Sequence, residues 1–127
     1  MARWARYNSR DDVIDVTVVD VAASAAIIDE IFDEITAIAK RLLPRKTHVL
    51  VCLRNTTIGT EVAAHYGERM AGLQSLVRGT ARYDATESLT RVHVRAEVVK
   101  RGLQGSKAHL YPSREEALAA IRRGDVG

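Results

Sequence analysis

The sequence predicts an α/β domain on a mostly parallel sheet, and three observations carry that prediction. Short runs rich in β-branched residues alternate with longer segments whose apolar residues recur every three or four positions. The first two runs are separated only by the polar stretch Ser9-Arg10-Asp11-Asp12, which reads as the turn of a hairpin. The run from Thr47 to Leu53 (THVLVCL) is apolar almost without alternation, as a central strand covered on both faces must be.

The elements follow in chain order. Trp4 to Asn8 alternates large and polar residues and reads as a strand. Val13 to Val21 is the second strand, with Val13, Ile14, Val16, Val18, Val19 and Val21 in it. Ile27, Ile28, Ile31, Phe32, Ile35, Ile38, Leu42 and Leu43 then trace one face of a helix. Ser24 is placed to cap it, acidic residues fall early, Lys40 and Arg41 fall late, and Pro44 ends it. After the central strand, residues 54–59 form a polar turn. Thr60 is placed to cap a second helix with Val62, Ala63, Tyr66, Met70 and Leu73 on its buried stripe.

Val77 to Asp84 reads as a strand, with Ala81 and Tyr83 on one face. The stretch from Leu89 to Leu103 fits both periodicities. It is read as a helix because Thr86 or Ser88 can cap it and Gly102 and Gly105 can end it. Lys107 to Tyr111 is a last short strand. Ser113 and Glu116 then form a capping box, opening a helix that buries Ala117, Leu118 and Ile121. Residues 124–127 read as a frayed tail. The predicted order is β-β-α-β-α-β-α-β-α: five strands with one antiparallel edge hairpin, and four helices, in a single domain spanning residues 1–127.

Composition bounds function. The chain of 127 residues is one domain in size, 46% hydrophobic and 28% charged. Its one cysteine, Cys52, sits between Val51 and Leu53 and reads as a buried thiol with no disulfide to make. No apolar run approaches a membrane span and no signal peptide is legible, so a cytoplasmic location is expected. The net charge of +3 is uneven: nine basic and ten acidic residues stand before position 78, ten and six from there on. A mildly basic C-terminal half follows.

Catalytic and metal-binding patterns are missing from the sequence. His48, His65, His93 and His109 have no ligand spacing among themselves or with Cys52. The carboxylates Asp29, Glu30, Asp33 and Glu34 read as the solvated face of an amphipathic helix. No phosphate-binding glycine loop and no nucleophile elbow occur. No residue is therefore assigned to catalysis, to a cofactor or to a metal.

The expected binding place comes from topology. Ligands of open α/β sheets collect beyond the carboxyl ends of parallel strands, where helix N-termini offer free N–H groups. Those places are Arg54 to Thr60 and Asp84 to Arg91. If the two strands are neighbours, Arg54, Thr56, Thr57, Thr60, Thr86, Ser88 and Arg91 converge on one rim suited to an anion or a partner. The plainer reading of the same hydroxyls is helix capping.

The element order resembles that of the STAS, or anti-sigma-factor-antagonist, fold. The likeness is more local between Ala81 and Ile121. Ser88-Leu89-Thr90-Arg91 and the run from Leu110 to Leu118 (LYPSREEAL) are similar to the end of small bacterial STAS-like proteins, and His48 to Asn55 (HVLVCLRN) to their central strand. Where well-studied members carry a phosphorylatable Asp-Ser-x-Gly-like turn, this chain has Asn55-Thr56-Thr57-Ile58-Gly59-Thr60. The resemblance implies a non-enzymatic interaction or regulatory domain that binds a protein partner, itself, or a small anionic or lipidic ligand. A small-ligand binder or weak enzyme using the rim is the alternative. Nucleic-acid binding through the basic half ranks last, since no groove-reading element or stacking platform is visible. Trp4 and Tyr7, on an edge hairpin, are expected to form an exposed aromatic edge that invites a homodimer.

Overall fold

A computed structural model describes residues 3–84 and 110–126 of the chain. Its elements are β1 (Ala5–Asn8), β2 (Val13–Thr17), β3 (Ala22–Ala23), α1 (Ala25–Leu42), β4 (His48–Cys52), β5 (Thr57–Ile58), α2 (Thr60–Leu73), β6 (Gly79–Tyr83), β7 (Leu110–Tyr111) and a last helix, α3 (Arg114–Arg122). The main sheet runs β1-β2-β4-β6-β7. β1 is antiparallel to β2, and every other pairing in that sheet is parallel. The expected five-stranded sheet with one antiparallel edge is present. Three helices lie among the described residues, and the helix expected over Leu89 to Leu103 lies outside them.

β2, β4 and β6 lie side by side in chain order, and the usual right-handed crossover would place the helices that connect them on one face. α1 and α2 accordingly share one side. Ile14, Val16, Val49 and Val51 point to that side and pack with Ile28, Ile31, Phe32, Ile35, Val62, Tyr66 and Met70. The alternate residues Val13, Leu50 and Ala81 point to the other side and meet Ala117, Leu118 and Ala120 of α3. Phe32 meets Tyr66 edge-to-face, with ring centroids 5.8 Å apart, joining α1 to α2.

Local chemistry explains the helix ends. Ser24 has extended backbone and accepts from Ile27 N at 3.2 Å, and Ser113 accepts from Glu116 N at 3.3 Å, so both are N-caps. At α2 the expectation fails. Gly59 is the N-cap and makes no side-chain cap bond, while Thr60 is the first helical residue.

Three further expectations are corrected. The second strand stops at Thr17, because Asp20 takes a left-handed conformation (φ 59°) and turns the chain into a separate ribbon of β3 paired with β5. Trp4 is only 9% exposed, in the main core, and Tyr7 is half-buried against it, so the aromatic edge expected there is largely covered. The tail does not fray through position 126. Gly124 (φ 81°) reverses the chain, Asp125 N donates to Ala120 O at 3.0 Å, and Val126 packs into the second core at 1% exposure. His48 Nε2 donates to the Val126 carbonyl at 2.5 Å.

The acidic face of α1 is also more than a solvated stripe. Glu34 Oε1 accepts the backbone N–H groups of Arg3, Trp4 and Ala5 at 3.0, 2.7 and 3.0 Å. Asp29 accepts from His65 at 2.7 Å and from Arg69 at 2.9 Å, and Arg69 also reaches Asp33 at 2.8 Å. Those bonds tie α1 to β1 and to α2.

Candidate functional site

β4 and β6 are immediate parallel neighbours, so their carboxyl ends lie side by side. Backbone bonds extend the row one residue further: Val18 N donates to Cys52 O and Leu53 N donates to Tyr83 O, both at 3.0 Å. The carboxyl ends of β2, β4 and β6 therefore form one rim. Just past each strand stands an Asx residue with left-handed backbone: Asp20 (φ 59°), Asn55 (φ 51°) and Asp84 (φ 59°). Asn and Asp enter that region more readily than other side chains, because their short polar groups bond locally.

The first two turns are laced together. Asn55 Nδ2 donates to Asp20 Oδ1 at 2.7 Å, Asp20 N donates to Arg54 O at 3.1 Å, and Thr57 N donates to Val21 O at 2.9 Å. The β3–β5 ribbon continues this contact. The segment from Arg54 to Gly59 is thus braced against the segment after β2.

This brace sorts the expected site residues. Arg54, Thr57 and Thr60 are exposed on the rim. Thr56 is fully buried, and its Oγ1 donates to Val18 O at 2.5 Å, so it fastens the loop from within and presents nothing outward. Thr86, Ser88 and Arg91 lie outside the described residues. Of the seven, Arg54, Thr57 and Thr60 are exposed, Thr56 is buried, and the other three lie outside the described residues.

The α2 N-terminus, expected to be an anion site, carries its own carboxylate. Glu61 stands in the first turn, and both its carboxylate oxygens lie 3.0 Å from where a side chain at Gly59 would begin. A negative charge there offsets the helix dipole from inside the chain. An apolar ligand also finds little room. The cavity among α1, α2 and the sheet, lined by Val18, Phe32, Val51, Tyr66 and Met70, has a volume of about 30 Å³, enough for a water and not for an acyl chain.

Two polar clusters escaped the sequence reading. On the α3 face, Arg114 reaches Asp15 at 2.9 Å and Asp11 at 3.0 Å, and Asn8 Nδ2 also donates to Asp15 at 3.0 Å. Beside them, burial and then the neighbouring Cys52 push the Tyr83 hydroxyl up to about 12. On the other face Arg82, fully buried, donates from Nε to the Tyr66 hydroxyl at 2.6 Å. Asp15 and Arg82 interrupt apolar strands (VIDVT, GTARY), and that interruption was the available signal. Of the histidines, His48 binds the tail and His65 bridges the helices. His65 is the main cause holding the Asp29 carboxyl below its usual range. His93 and His109 lie outside the described residues. Among the described residues, no three His, Cys, Asp or Glu side chains are grouped to hold a metal ion, and no helix is long and apolar enough to cross a membrane.

No protein-family model, curated protein or solved structure matches the chain.

Proposed function

We propose that this chain is a non-enzymatic, STAS-like interaction domain that docks a protein partner through the rim bearing Arg54, Thr57 and Thr60. The observation that carries the proposal is the braced loop itself. Side-chain and backbone bonds hold its base, Thr56 is turned inward, and the exposed residues are left as a rigid outward surface. Rigid presentation lowers the ordering cost of association. The order of the described elements supports the STAS-like reading. Glu61 over the α2 N-terminus and the small apolar cavity favour a partner over a free anion or a lipid. A cytoplasmic location belongs to the same proposal.

The test is site-specific photocrosslinking in cells. A benzoylphenylalanine residue placed at Thr57 or Thr60 is expected to trap the same protein from both positions. The same group at Glu68, exposed on α2, should not trap it. Failure to crosslink from the rim, or equal crosslinking from Glu68, would overturn the proposal.

A further inference from the structure

The opposite end of the sheet carries a different surface. α1 ends in Lys40-Arg41-Leu42, and the chain continues Leu43-Pro44-Arg45-Lys46 into β4. The residue before a proline is disfavoured in helical backbone, and Leu43 leaves the helix with ψ 144°. Leu43 is 40% exposed, the one large hydrophobic side chain so exposed among the described residues. Cations surround it in sequence on both sides. Arg78 joins the same end, because its N–H donates to Thr47 O at 2.9 Å.

Most of the charge here is unpaired. Lys40, Arg41, Lys46 and Arg78 are exposed and make no ion pair among the described residues. Elsewhere Arg69, Arg114, Arg122 and Arg123 each face a carboxylate. Arg45 is the one member of this end that is engaged, with Asp12 and the Tyr7 hydroxyl. No acidic residue occurs anywhere from Ile35 to Thr60.

We infer that this basic end, with the exposed Leu43 flanked by its cations, is a docking surface for an anionic lipid bilayer. The argument is charge complementarity joined to an apolar tip. Anionic headgroups answer unpaired Lys and Arg, and the acyl boundary takes an aliphatic side chain set among them. A nucleic acid would answer the cations and leave Leu43 in water. Contacts this few give reversible, salt-sensitive attachment. The rim lies at the other ends of the same strands, so a bound domain would turn the rim away from the membrane.

The experiment is vesicle flotation of the full chain, with phosphatidylcholine vesicles that contain or lack phosphatidylglycerol. Flotation is expected only with phosphatidylglycerol and should fade as salt rises. Leu43→Ser should weaken binding about tenfold. Lys40→Ser and Lys46→Ser should each weaken it about fivefold. Arg6→Ser, exposed on β1, should leave flotation unchanged. These side chains are exposed, and unchanged circular dichroism confirms that each variant is folded. No flotation at low salt overturns the inference, as does equal flotation with pure phosphatidylcholine. Binding to duplex DNA that ignores Leu43→Ser, with no flotation, would instead assign the cations to nucleic acid.

Discussion

Glu34 shows how one side chain can close two problems at once. β1 is an edge strand, and edge N–H groups invite unwanted pairing. One carboxylate oxygen takes three N–H groups where the chain enters β1, from Arg3, Trp4 and Ala5. Burial alone would raise the Glu34 carboxyl, but the three N–H donors outweigh it and the net direction is down. A carboxyl lowered in the folded state stabilises above its unfolded value and loses that contribution as pH falls through the folded value. Glu34→Gln is therefore expected to cost about 1–2 kcal/mol at neutral pH. The difference from wild type should shrink in acid, as urea denaturation across pH will measure. Tyr83 has the opposite sign. With its hydroxyl raised to about 12, the folded chain keeps a proton that the unfolded chain loses near 10. Stability should thus fall as pH rises through that window. Ultraviolet titration of the four tyrosines should show a late phenol, removed by Tyr83→Phe.

At the scale of elements, the β3–β5 ribbon and α3 are held by contacts that no local pattern announces. Thr56 is the pin of the ribbon. Thr56→Val keeps its shape and leaves the Val18 carbonyl without that donor, and is expected to cost about 1 kcal/mol in thermal or urea unfolding. α3 buries mostly small side chains, Ala117 and Ala120 with Leu118, so apolar area alone holds it weakly. Arg114 supplies the rest by answering Asp15 and Asp11, whose side chains are 19% and 8% exposed. Arg114→Ala leaves the largely buried Asp15 without its ion pair and Asp11 with Arg122 alone, and is expected to cost about 2 kcal/mol. Hydrogen exchange should localise the loss to α3 and β2, and uniform loss across α1 and α2 would contradict it.

Across the whole molecule, the two exposed surfaces sit at opposite ends of one sheet. The rim gathers at the carboxyl ends of β2, β4 and β6, and the basic end gathers where α1 stops and β4 begins. They share no side chain, and the buried strand β4 separates them. Effects at such separated sites add without coupling. Leu43→Ser should therefore reduce vesicle binding and leave crosslinking from Thr57 unchanged.

Much of this architecture was legible in the chain. Apolar spacing, the caps Ser24 and Ser113, and Pro44 located α1 and α3, because each is decided within a few residues. The alternation of strand and helix implied a parallel sheet with one antiparallel edge, since short links leave few ways to connect such units. Cys52 was read as buried from its apolar neighbours, and it is. What only the tertiary structure decided was which polar residues turn inward. Thr56 and Thr57 are adjacent hydroxyls in a polar run, and only the approach of Val18 sends one into the core and leaves the other on the rim. Glu34, Asp15 and Val126 likewise find partners far along the chain. Periodicity reports which face is apolar, because burial repeats with the turn of the backbone. A single polar contact between distant residues repeats with nothing, and it becomes visible only when the fold brings its two halves together.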